Sequence, residues 1–110
     1  MKLIIAVIHA ADADAVLRAL SARGFRATVI DSTGGLLRQG NVTILIGVQE
    51  TLVAEAMRVL RQHCQTRTRY MSPHLSGVEL GEYYVSDPVE VQVGGATVYV
   101  VDVERYERIA

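Results

Sequence analysis

Between Gly24 and Val48 the chain reads GFRATVIDSTGGLLRQGNVTILIGV, two strand-forming runs separated by a connection that carries Gly34, Gly35 and Gly40. A tight hairpin needs no such loop, because Asn-Gly or Gly-Gly in a two-residue turn already reverses a chain. Glycines in this number let successive backbone N–H groups converge into a nest that holds an anion. Polar partners flank the nest: Arg26 and Thr28 before it, Asn41 and Thr43 after it. The segment therefore reads as a site for a phosphorylated ligand. A plain glycine-rich turn, with Arg26 as a solvated strand residue, is equally compatible with the pattern alone.

The rest of the chain places that segment inside a single domain, since 110 residues suffice for one core and are tight for two. Leu3 to Ile8 is a continuous apolar run, as in a central strand covered on both faces. A helix follows, with Asp12 as its expected N-cap, a stripe of Ala13, Val16, Leu17 and Leu20, and Gly24 as its terminating glycine. The pattern predicts strands at Phe25 to Asp31 and Val42 to Val48, around a short glycine loop at 33–41. A second helix is expected from a Thr51 cap, with Val53, Ala56, Met57 and Leu60 on its apolar face, ending near His63 or Cys64.

From 64 to 88 no period is sustained and Pro73, Gly77, Gly81 and Pro88 interrupt the chain, which predicts a long loop, either one that changes order with ligand or one that is merely floppy, the residues fitting both. Arg67, Arg69 and Tyr70 are candidates to sit over a bound anion. Val89 to Val93, Gly94-Gly95 and Ala96 to Val103 read as a C-terminal hairpin with a primed turn, and Glu104 to Ala110 as a tail with room for one helical turn. The order is most economically an α+β, ferredoxin-like βαββαβ sheet with both helices on one face plus that extra hairpin. Two helices hide only one side of the sheet. Apolar residues on the other side then call for a neighbouring subunit.

Half of the residues are hydrophobic, 21% are charged and the formal net charge is -1, a soluble globular balance that offers nothing for a nucleic-acid polymer or a membrane. The opening apolar run is too short for a signal peptide, and a single cysteine, Cys64, fits a reducing compartment, so a cytoplasmic protein is expected. His63, Cys64 and His74 do not make a metal site, because adjacent helical positions point about 100° apart. His9 and Asp12 are too isolated to be an acid–base pair, and no nucleophile–base arrangement is present, so no enzyme is expected. An acylphosphatase-like enzyme would need a glycine-rich loop after the first strand, where this chain has His9-Ala10-Ala11-Asp12.

Gly-Phe-Arg-Ala-Thr at 24–28, Ser-Thr-Gly-Gly at 32–35, Gly-Asn-Val-Thr at 40–43 and Ile-Gly-Val at 46–48 resemble the PII-like cyclic di-AMP receptors related to the nitrogen-regulatory PII proteins. Met-Lys-Leu-Ile-Ile-Ala at the start and Val-Gly-Gly-Ala-Thr-Val-Tyr-Val near the end extend the resemblance over nearly the whole chain, least between Thr66 and Pro88. It implies a single PII-like domain over 1–110, a homotrimer with ligand clefts between neighbours, and a downstream protein whose identity is unknown. It assigns cyclic di-AMP to Arg26, Ala27, Thr28, Gly34, Gly35, Leu36, Leu37, Asn41 and Gly47, with no cofactor or metal. In that assignment Arg26 meets a phosphate, Thr28 and Asn41 read the adenine edge, and backbone at Gly35, Leu36 and Gly47 completes the pocket.

One position departs from the family. Phenylalanine commonly follows the two glycines, and here Leu36 replaces it, removing base–aromatic stacking worth about 1–3 kcal/mol. Tyr99 or Tyr106 of a neighbour is a candidate replacement. Two other functions stay open at this point: a PII-type sensor of ATP or ADP with a carboxylate metabolite, for which the loop after the second strand is short, and a trimeric scaffold with a vestigial nucleotide site.

Overall fold

The computed structural model describes residues 1–30, 40–71 and 89–110. The apolar opening run becomes strand β1, Lys2–His9, at the centre of a sheet in which Ile4, Ala6 and Ile8 are fully buried and Leu3, Ile5 and Val7 are half-buried on the opposite side. Strand β3, Asn41–Val48, alternates in the same way, with Ile44, Ile46 and Val48 buried. The two run antiparallel with Ile4 opposite Ile46 and Ile5 opposite Leu45. Strand β2, Ala27–Ile30, pairs with the outer edge of β3, and strand β6, Ala96–Asp102, pairs with the other edge of β1. The order is β2-β3-β1-β6, every neighbour antiparallel.

Both helices lie on the face that carries Ile4, Ile8, Ile44 and Ile46, since Val16 and Leu20 of α1 (Ala10–Ala22) and Ala56, Val59 and Leu60 of α2 (Val53–His63) complete that core. The result is the α+β, ferredoxin-like arrangement expected. Helix α1 starts earlier than its sequence suggested. His9 is the N-cap, its Nδ1 accepting the Ala11 N–H at 3.2 Å, which leaves Asp12 inside the first turn. The stop is as expected: Gly24, at φ +84°, donates to the Ser21 carbonyl while Phe25 donates to that of Leu20. This paired closure folds Phe25 back into the core that holds Leu20. Thr51 does not cap α2. It lies in a single 3₁₀ turn, Glu50–Leu52, and α2 begins without a side-chain cap.

Three expectations about the last third need correction. Arg67–Met71 forms strand β4 rather than loop, and pairs antiparallel with β5, Val89–Val93, so the 64–88 loop begins and ends in a ribbon. The extra hairpin is therefore β4–β5, ahead of the last sheet strand, and not a C-terminal pairing of Val89–Val93 with Ala96–Val103. Gly94 and Gly95, both at φ +88°, form the joint where the chain leaves the ribbon for the main sheet. Positive φ suits such a joint as well as a primed turn, which is why the local sequence pointed to the wrong partner. The tail from Glu104 onward adds no helical turn and is exposed.

Candidate functional site

Strand register sorts the sequence-predicted site residues by face. On β2, Thr28 stands opposite Leu45, and on β3 Asn41 and Gly47 share the parity of Leu45, so all three belong to the side of the sheet that no helix among the described residues covers. Ala27, opposite Ile46, is on the helix side and packs against the core, so only its backbone is available to a ligand. Arg26 is exposed, and continuing the β2–β3 register sets it level with Gly47. Gly34, Gly35, Leu36 and Leu37 lie outside the described residues.

The uncovered side is otherwise mainly apolar, with Thr43 and Thr97 on either side of Val7 and His9 at its end. Leu3, Ile5 and Val7 of β1 are flanked by Leu45 and by Tyr99 and Val101 of β6, and Ile30, Tyr99 and Val101 are 43%, 56% and 41% exposed. Arg26, Thr28 and Asn41 thus border an apolar platform rather than open surface. Asn41 and Gly47 are separated by most of β3, about 20 Å at strand rise. Arg26 and Gly47 sit at one end of the stripe, Thr28 is between, and Asn41 is at the end where the glycine loop returns. That end is fixed to the body: the Ala10 N–H donates to the Gly40 carbonyl at 2.6 Å, and Asn41 stands opposite His9.

Gly47 is the informative position. It needs no left-handed backbone, and among the described residues a Cβ built on it would meet nothing within 4 Å. Neither conformation nor internal packing demands glycine in this strand, where a side chain would normally strengthen the sheet. Space above the Gly47 backbone is what the missing side chain provides.

The remaining candidates are engaged elsewhere. His9 caps α1, and Asp12 accepts from Arg67 Nη2 at 2.7 Å, so the two serve separate contacts. Arg67 also donates to the Gln65 carbonyl at 3.0 Å and is thereby held at the helix side, not over the stripe. The described residues contain no group able to hold a metal. An open groove of about 540 Å³ runs between α2 and β6, lined by Met57, Leu60, Arg61, Cys64, Ala96 and Val98, and includes none of the predicted site residues. Beside it the Cys64 thiol is pushed up to about 11 by burial, with the Asp12 carboxylate adding and the Arg67 cation partly offsetting. A thiol so placed is inert at neutral pH. In the folded state it keeps its proton where an unfolded thiol has lost it, so stability should fall as pH rises from about 9 to 11. Urea melts across that window check this, and Cys64→Ala should remove that part of the slope.

The family model described as cyclic-di-AMP receptor matches residues 1–109. The chain belongs to the cyclic-di-AMP receptor family. This receptor family is PII-like, as the motifs at 24–28, 32–35 and 40–48 indicated. Among solved structures, the chain is similar to a functionally unknown protein from Pediococcus pentosaceus ATCC 25745, 36% identical over 98% of this chain and 96% of that one, with a TM-score of 0.74. No helix among the described residues of this receptor-family chain is long and apolar enough to cross a membrane.

Proposed function

We propose that this chain is a PII-like signal-transduction protein that binds cyclic di-AMP along the β2–β3 stripe, at the interface between copies of a homotrimer. The carrying observation is the uncovered backbone at Gly47 beside Arg26 and Thr28, in a chain of the cyclic-di-AMP receptor family. A purine laid against Gly47 has a guanidinium at hand for its phosphate and a hydroxyl for its edge. Asn41 offers a donor and an acceptor together, as adenine requires. Because Asn41 and Gly47 are about 20 Å apart along one strand, a ligand that uses both ends lies along the stripe or takes one end from each of two copies. The apolar platform favours the second arrangement, since a face of this kind is buried by association. Gly34, Gly35, Leu36 and Leu37 complete the pocket from the glycine loop, and Leu36 contributes packing without aromatic stacking. The protein acts by binding, without catalysis, in the cytoplasm, and passes the signal to a downstream protein by rearranging a loop.

Calorimetric titration with cyclic di-AMP, ATP and cyclic di-GMP tests the ligand: binding of the first alone is expected. Arg26→Ala and Asn41→Ala should each weaken it about ten- to a hundredfold, the size of a lost charge-assisted or bidentate contact. Mixing the two variants and re-equilibrating the oligomers should restore about a quarter of the sites if Arg26 and Asn41 come from different copies. No recovery would place both residues in a pocket of one copy, and unchanged affinity in both variants would move the site elsewhere.

A further inference from the structure

We propose that the Asp12–Arg67 pair is a latch that holds the base of the β4–β5 ribbon against the amino end of α1, restraining a hinge at Gly94–Gly95. Arg67 is the first residue of β4, and its guanidinium spans two elements: Nη2 on Asp12 at 2.7 Å and Nη1 on the Gln65 carbonyl at 3.0 Å. Asp12 is only 5% exposed, and its Oδ2 has no partner among the described residues. Unseating the guanidinium would leave this deep carboxylate without its partner, and losing one member of a buried pair strands the other.

The ribbon's returning strand is tied at the same place. The Gly95 N–H donates to the Cys64 carbonyl at 2.6 Å. A Cβ at Gly94 would collide with the Gln65 carbonyl oxygen and stand 2.8 Å from Arg67 Nη1, and one at Gly95 would stand 2.9 Å from Thr66 Oγ1, so the two crossing segments leave no room for more. Positive φ at both glycines gives this joint backbone freedom that other residues lack. Thr68 and Gln92, the other ribbon side chains described, are exposed and contribute nothing to the core. Among the described residues, the ties at the base are what join the ribbon to the body. Beneath them sits Cys64, buried, the only cysteine of the chain, and thus a reporter of their opening.

The test measures alkylation of Cys64 by neutral iodoacetamide at fixed pH, with hydrogen exchange of ribbon and sheet amides, in the full-length protein. In Arg67→Gln, alkylation should accelerate roughly tenfold or more, and β4–β5 amides should lose protection while those of β1 and β3 keep theirs. The direction is diagnostic. Arg67 favours the thiolate, so its removal without opening would slow the reaction. Asp12→Asn should deprotect the same ribbon amides, and Arg67→Lys, which keeps the charge without the two-pronged reach, should fall between wild type and Arg67→Gln. Should Arg67→Gln fail to fold, Arg67→Lys and Asp12→Asn carry the same exchange prediction. Ribbon exchange indistinguishable from wild type in the folded variants, with alkylation no faster in Arg67→Gln, would overturn the latch.

Discussion

Gly47→Val should cost at least a hundredfold in affinity for cyclic di-AMP while leaving the chain folded and slightly more stable. The two effects have different origins. Among the described residues of one copy nothing approaches the position within 4 Å, so a valine meets no clash from them. Replacing glycine in a strand by a β-branched residue is worth about 0.5–1 kcal/mol in stability. The same methyl groups occupy the space where a purine would rest on the backbone, and a loss of about 2.7 kcal/mol is already a hundredfold. Urea melts and titration calorimetry read the two quantities separately. Light scattering on the variant shows whether the subunits still assemble, which separates blocked ligand from blocked association. Affinity within threefold of wild type would mean that nothing docks on β3 at this level.

Ile5→Lys should turn the proposed oligomer into a monomer at micromolar concentration. Ile5 is central to the uncovered face, opposite Leu45 on one side and Tyr99 on the other. Within a single copy its side chain is half-buried and the helix-side core is untouched, so the circular dichroism spectrum should persist. At an interface the ammonium would be desolvated without a partner, a penalty of several kcal/mol per subunit contact and hence more than a hundredfold in association. Nucleotide binding should be lost with assembly if the sites lie between copies. An unchanged oligomer mass in Ile5→Lys would show that this face is not where the subunits meet.

The parts of the fold legible in the sequence are those decided by near neighbours. The stripe of Val16, Leu17 and Leu20, the stop at Gly24, and the alternation of Ile44 and Ile46 each depend on spacing within one element. The caps were less legible. Histidine is an uncommon N-cap, so Asp12 looked the better candidate, yet its carboxylate is drawn to an arginine that lies far along the chain and close only in the fold. Strand identity was readable at Val89–Val93 but strand partnership was not, because alternation marks a face without naming the neighbour. Thr68 and Tyr70 alternate with Arg67 and Arg69, a period-two signal for β4 masked by the surrounding breakers. For the proposed site, Thr28, Asn41 and Gly47 were chosen from motif residues, and the sheet register puts them on one face. What no linear pattern shows is that Arg26 and Asn41 stand at opposite ends of that face.

Strand β1 pairs along nearly its whole length with β6, the last strand of the chain, and the Val103 N–H donates to the Met1 carbonyl. Strand β1 is therefore made long before the strand it waits for. During synthesis the edge of β1 is an unpaired apolar strand, a template for the wrong neighbour. Closing the sheet also requires a loop nearly as long as the chain, a slow step in folding. Truncation from the carboxyl end is then not a local injury: removing β6 leaves the strand at the centre of the sheet at its rim.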